Sequence, residues 1–358
     1  MYCVGYFGTG SVGSEYGVDE VTFLLDSYST LQWIWMGIGS IESLLISSDY
    51  GTPHPPEGWA YYPRGIMANC YITDCTEIIG SNERYRCVGY EGTGPATTGP
   101  DTLTSFTMTS SGTLTWLWQH QYTFEVQNPS GYGSPVPAVG SYWMEANQPV
   151  DAYITLNPDA GWYCVGYDGW GALDDGWGDS VHFALTAPSG VQWEWMEGID
   201  VVTLDVTSPY GPCDPPAGRN YIPVGTNLIA TAGPYSYIAD NNRQTTVGWT
   251  GTADVPATGD SNAVPITMTR ASTLDWQWEN EIHLDYEGCG GAVPVQTGEG
   301  WYRVGEEVDI STSTSLEDGG DHYGFVVWFP NDPGAVTIDD DTRPITSLNL
   351  IQPCTLTA

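Results

Sequence analysis

The sequence predicts an all-β protein built as a tandem array of small β-modules of about 80 residues each. Three observations carry that prediction. The 358 residues include 44 Gly, 25 Pro, 23 Tyr and 16 Trp, which either break helices or suit pleated, half-buried surfaces. One segment rich in Gly, Tyr and Trp recurs along the whole chain. The apolar runs between turn clusters are short, and no long segment keeps a 3.6-residue period. A module of this size is expected to be β-grasp-like or an immunoglobulin-like sandwich.

The recurring segment begins at Tyr2 as YCVGYFGTGS, at Tyr85 as YRCVGYEGTG, at Tyr163 as YCVGYDGWGA and at Thr245 as TTVGWTGTAD. A worn fifth copy, GFVVWFPNDPG, starts at Gly324. Roughly 30 residues after each of the first four comes an aromatic strand: LQWIW (31–35), LTWLW (114–118), VQWEW (191–195) and LDWQW (274–278). An opening segment precedes each later copy: DYGTPHPPEGWAYYPRG (49–65), GYGSPVPAVGSYW (131–143), PYGPCDPPAGRNYIPVG (209–225) and, more loosely, GEGWYRVGEEVDI (298–310). Further strands are expected at VTFLL (21–25), YTFEV (122–126), VHFAL (181–185) and PITMT (265–269). Cutting after each aromatic strand gives repeats at 41–119, 120–196, 197–279 and 280–358, preceded by a partial repeat at 1–40. The central half thus occurs five times and the opening half four times. The chain therefore reads as a piece of a longer array or as the subunit of a filament completed by its neighbours.

The glycines raise one alternative. Gly8-Thr9-Gly10-Ser11-Val12-Gly13 matches G-x-G-x-x-G. A dinucleotide fingerprint needs a helix directly after the glycines, its N-terminus holding the pyrophosphate. Here SEYGVDEVTFLL follows, a turn and a strand, and a sibling copy carries Pro95, Ala96 and Thr97 at these positions. The glycines serve a turn between strands.

Charge excludes other classes. Against 44 acidic residues stand 8 basic ones, all arginine, for a formal net charge of −36. Nucleic acid and anionic membranes are expected to be repelled, because both need Lys or Arg to displace counterions. No apolar stretch is long enough for a membrane span. No basic segment leads into an apolar one at the start, so any secretory signal has been removed or lies outside this sequence.

The opening segment, the Y-x-C-V-G-[YW]-x-G-T-G motif and the closing S-x-L-T-W strand together resemble the divergent B-repeats, related to those of internalin-type surface proteins, of large bacterial surface and secreted proteins. The resemblance runs over essentially the whole chain. It implies an extracellular or cell-surface stalk, adhesive or assembly element. Its partners would be neighbouring repeats or subunits, and surface glycans or proteins. It also implies a disulfide between Cys70 and Cys87, with Cys75 as the competitor, while Cys3 and Cys164 lack a partner within their units. The motif cysteine is Thr246 in one copy and Phe325 in another.

Trp33/Trp35, Trp116/Trp118, Trp193/Trp195 and Trp276/Trp278 are spaced i, i+2, so each pair shares one face of a strand. Small modules need large aromatics in their cores, and a core strip is expected. The competing reading is a sugar-stacking platform, in an array that tethers an enzyme lying outside this chain. Asp174, Asp175 and Asp179, and Asp339, Asp340 and Asp341, are weak calcium candidates: loop carboxylates suit that hard cation, but neither set recurs in each unit nor has EF-hand spacing. A third acidic cluster, Glu317, Asp318 and Asp321, reads the same way. No other cofactor is expected. The five histidines form no H-x-H or H-x-x-x-H pair, no C-x-x-C occurs, and no G-x-S-x-G elbow appears. The sequence gives no catalytic constellation, and a non-catalytic structural or adhesive protein is expected.

Overall fold

A computed structural model describes residues 1–287, 296–318 and 321–358. The fold is all-β, with two single-turn 3₁₀ segments, Ile38–Ser40 and Gly198–Asp200, as the helical elements among the described residues. Each full unit encloses its core between two sheets, the sandwich arrangement of the two expected.

Residues 41–118 show the plan. Ile41–Ser47 pairs antiparallel with Gly58–Pro63 and parallel with the start of Gly112–Gln127. Gly112–Gln127 pairs antiparallel with Glu83–Gly92, which in turn pairs with Thr76–Gly80. Facing this sheet is a smaller one made of Thr52–His54, Met67–Thr73 and Leu103–Thr107. Between them lies a core of Leu44, Ile46, Tyr62, Ala68, Cys70, Ile72, Cys87, Met108, Leu114 and Trp116. Alternation builds it: Met67–Thr73 buries Ala68, Cys70 and Ile72 and exposes the residues between them.

Three more cores repeat the plan, drawing on residues 124–193, 204–276 and 282–356. Residues 1–36 form only a three-stranded sheet over a small cluster of Tyr6, Val12 and Val18. One predicted strand is absent there: VTFLL at 21–25 takes no strand conformation, and Leu24 and Leu25 are exposed. Its counterpart Ser180–Ala184 is a strand because it pairs with Pro149–Ile154 of the opening half. Residues 1–40 carry no such half, so the same apolar pattern has nothing to pair with.

The motif glycines have a definite job. The register of the motif strand shifts between Cys3 and Gly5, Cys164 and Gly166, and Thr246 and Gly248. Gly89 sits at φ 141, and a Cβ there would collide with the carbonyl of Gly99. The Val-Gly step therefore forms a β-bulge that admits a crossing loop. No helix follows Gly13; Glu15–Tyr16 is a short strand.

Candidate functional site

The features that recur in register lie at the joints between units, and the joints are of two alternating kinds. The first kind is a shared strand. Gly112–Gln127 is 16 residues long, or about 50 Å at roughly 3.3 Å per residue. Its first half completes the sheet of unit 41–119. Its second half pairs antiparallel with Gly140–Glu145 and parallel with Ser189–Glu197 of the next unit. Gln121 and Tyr122 pair with Arg84 and Glu83 on one side and with Glu145 and Met144 on the other. Ser272–Glu287 repeats this, carrying Val201–Thr207 and Asn242–Thr252 on one half and Gly300–Arg303 and Cys354–Thr357 on the other.

An arginine from the first unit pins each shared strand to the second. The Arg84 guanidinium lies 4.2 Å from the centroid of Trp143 and its Nε donates to Gln121 Oε1 at 2.8 Å. Arg243 lies 4.4 Å over Trp301, and its Nε donates to Glu281 at 2.8 Å. Stacking on the indole joins the units, and the strand residue fixes the guanidinium plane. At the first joint His120 stacks on Tyr85 with ring centres 4.5 Å apart and bonds Glu83 at 2.8 Å.

The second kind of joint is the 3₁₀ turn. Ile38–Ser40 links Thr30–Met36 to Ile41–Ser47, and Gly198–Asp200 links Ser189–Glu197 to Val201–Thr207. Tyrosines hold both: Tyr2 against Tyr61 and Tyr163 against Tyr221, each pair with centroids 4.6 Å apart. Ser40 O accepts from Arg64 N at 3.1 Å, and Asp200 O from Val224 N at 2.8 Å. Tyr16 packs against the core of 41–119, and Trp177 against that of 197–279. A groove of about 460 Å³ beside the second turn has Trp177, Trp195, Glu194 and Pro223 in its wall. Burial, with Asp168 and Asp175 nearby, pushes the Glu194 carboxyl above the ordinary range.

The tryptophan pairs divide between core and rim. Trp116, Trp193 and Trp276 are 2%, 1% and 1% exposed. Each meets an aromatic ring of the motif edge-on, Tyr90, Tyr167 and Trp249 respectively. Trp118, Trp195 and Trp278 are half-buried; Trp118 Nε1 donates to Ser48 Oγ at 2.9 Å and Trp195 Nε1 to Asn128 Oδ1 at 3.1 Å. In the partial repeat Trp33 is half-buried and Trp35 is 57% exposed.

The remaining candidates lie elsewhere. Among the described residues no three His, Cys, Asp or Glu side chains are placed to hold a metal ion. Asp175 instead accepts from Gly169 N, and Asp179 from Asn157 Nδ2. Asp340 accepts from Thr342 and pairs with Arg343 at 2.9 Å, which holds its carboxyl below the usual range. Asp339 is an exposed turn residue, and the backbone carbonyl of Asp341 receives Trp328 N. The side chains of Glu317, Asp318 and Asp321 lie outside the described residues.

The expected Cys70–Cys87 disulfide is not formed. Cys3, Cys70, Cys75, Cys87, Cys164, Cys213 and Cys354 are all free thiols, and Cys289 lies outside the described residues. Cys70 and Cys87 belong to opposite sheets and share one apolar core, where burial pushes both thiols up, Cys70 to about 12. The motif cysteines bond locally: Cys3, Cys87 and Cys164 each donate to the carbonyl of the bulge glycine two residues on. The joints were missed in the sequence. Their signal was there, in the glycines at 37, 39 and 198 that follow two of the Trp-x-Trp strands, against the polar QHQ and ENE that follow the other two.

No family model matches the chain, and no curated protein matches it.

Proposed function

We propose that this chain is an extracellular structural array, a non-catalytic stalk of the divergent B-repeat kind, which holds its units in a fixed line. The observation that carries the reading is the pair of alternating joints. Each shared strand lies in one nine-stranded sheet that runs through two units, so the joint cannot bend freely without breaking backbone hydrogen bonds. The tyrosine and 3₁₀ contacts restrain the other joints. Burial of Trp116, Trp193 and Trp276 favours a stalk over a sugar platform, which requires exposed rings. The net charge of −36 keeps such a surface dissolved and free of nucleic acid.

Stretching single molecules of the full chain tests this. Such a stalk should resist force and then unfold in discrete events, each lengthening the chain by about 27 nm, the span of a repeat at ~3.4 Å per residue, or about twice that where two units sharing a strand give way together. Smooth extension without discrete events would refute the stalk.

A further inference from the structure

One pair of thiols lies at the edge of a core, away from the joints. Cys75 lies just before Thr76–Gly80, and Cys87 is within Glu83–Gly92. These strands are antiparallel with Thr76 opposite Arg86 and Glu77 opposite Tyr85. One step further along that register Cys75 faces Cys87, and Cys87 N donates to Cys75 O at 2.9 Å. That bond marks a hydrogen-bonded antiparallel pair, whose Cα atoms stand about 5.5 Å apart, within the roughly 4.4–6.8 Å that a disulfide spans. Both side chains lie on the core side: Cys87 is buried in the core of 41–119, and half-buried Cys75 packs against it. Their hydrogen bonds run to different carbonyls, Ile72 O for Cys75 at 3.3 Å and Gly89 O for Cys87 at 3.6 Å.

The third full repeat keeps the same backbone pairing at this place. There Thr246 N donates to Pro234 O at 3.0 Å, the same contact at the same place. Thr246 also gives its hydroxyl to Gly233 O at 2.5 Å. Pro234 and Thr246 stand there for Cys75 and Cys87, whereas Cys164 keeps the motif cysteine beside Asn157. Cys70, the other thiol of that core, sits across the sandwich on Met67–Thr73.

We propose that Cys75 and Cys87 are a thiol pair that closes to a cross-strand disulfide on exposure to a small-molecule disulfide, pinning the Thr76–Gly80 hairpin. The Cys75 thiolate, the more accessible, attacks the reagent's S–S bond and releases one reagent thiol. The sulfur of Cys87, on losing its proton to solvent, attacks Cys75 Sγ and expels the second reagent thiol. Two protein thiols are oxidised and one external disulfide is reduced to two thiols, so electrons and protons balance. Burial holds the Cys87 thiol above its ordinary pKa, with Cys75 adding to it, which fits Cys87 as the resolving rather than the attacking sulfur.

The test incubates the full chain with oxidised glutathione, quenches with acid, alkylates the remaining thiols and maps the peptides by mass. The native protein and Cys70→Ser should both yield a Cys75–Cys87 link. Cys87→Thr, which copies the residue of the sibling repeat, should stop at a glutathione adduct on Cys75. Cys75→Ser should leave Cys87 free of adduct. A Cys70–Cys87 link in the native protein, a glutathione adduct on Cys75 that never resolves, or no reaction at either thiol would overturn the proposal. The native-protein map decides the matter even if a variant fails to fold.

Discussion

Trp116 and Trp35, the first tryptophan of one Trp-x-Trp strand and the second of another, show how much a residue's worth depends on what lies above it. Trp116 is enclosed by the core of 41–119, and replacing it with alanine should cost about 3–5 kcal/mol, as for other large-to-small core changes. Trp35 is exposed, and Trp35→Ala should fall within about 0.5 kcal/mol of the parent. Denaturant unfolding followed by the signal of each unit checks both, and comparable losses would contradict the burial. The i, i+2 spacing put each pair on one face but did not tell which of the two rings would be enclosed. The thiols were not legible in the same way, because sequence distance does not say which sheet a strand joins. Titration gives a second test at this scale. The backbone N–H groups of Thr269 and Arg270, with the Thr269 hydroxyl and the Arg270 guanidinium, hold the Asp254 carboxyl below its ordinary value of 3.8. A depressed folded pKa means that this carboxylate stabilises the fold above the ordinary range, and that the contribution fades as pH falls through the folded value. Carboxyl NMR should place the Asp254 midpoint below 3.8; a midpoint at or above it would show that those donors do not engage the carboxylate.

Among the elements, strands with a partner formed where the apolar pattern placed them, and 21–25 did not. VTFLL and VHFAL carry the same kind of pattern, yet only the second has an opposing strand, Pro149–Ile154. Pattern selects a face; pairing makes the strand. Hydrogen exchange should show the difference, with the amides of 21–25 exchanging at least a hundredfold faster than those of Ser180–Ala184. Equal protection would mean that 21–25 has found a partner. The boundaries at 119/120 and 279/280, drawn where the aromatic strand ends, fall inside continuous strands. A polar run such as QHQ reads as a linker, but in an alternating strand it is also the stretch where one unit's core face hands over to the next. At the other joints glycine ends the strand, and the chain takes a 3₁₀ turn.

For the whole molecule, these local rules yield an array in which the two joint types alternate, so the structural period is two units although the sequence repeats every one. Composition and repeats alone indicated the all-β class. The joint geometry was not legible, because nothing in a polar run such as QHQ shows that one strand serves two units. Pulsed electron spin resonance on the full chain measures the central feature directly, using labels introduced as non-natural amino acids at exposed Thr109 and Gln148, which flank the shared strand Gly112–Gln127. The stalk reading expects one narrow distance distribution, broadened when Gln119→Pro breaks the strand between its two units. A broad distribution in the unaltered protein would show that the two units move independently and would contradict the account.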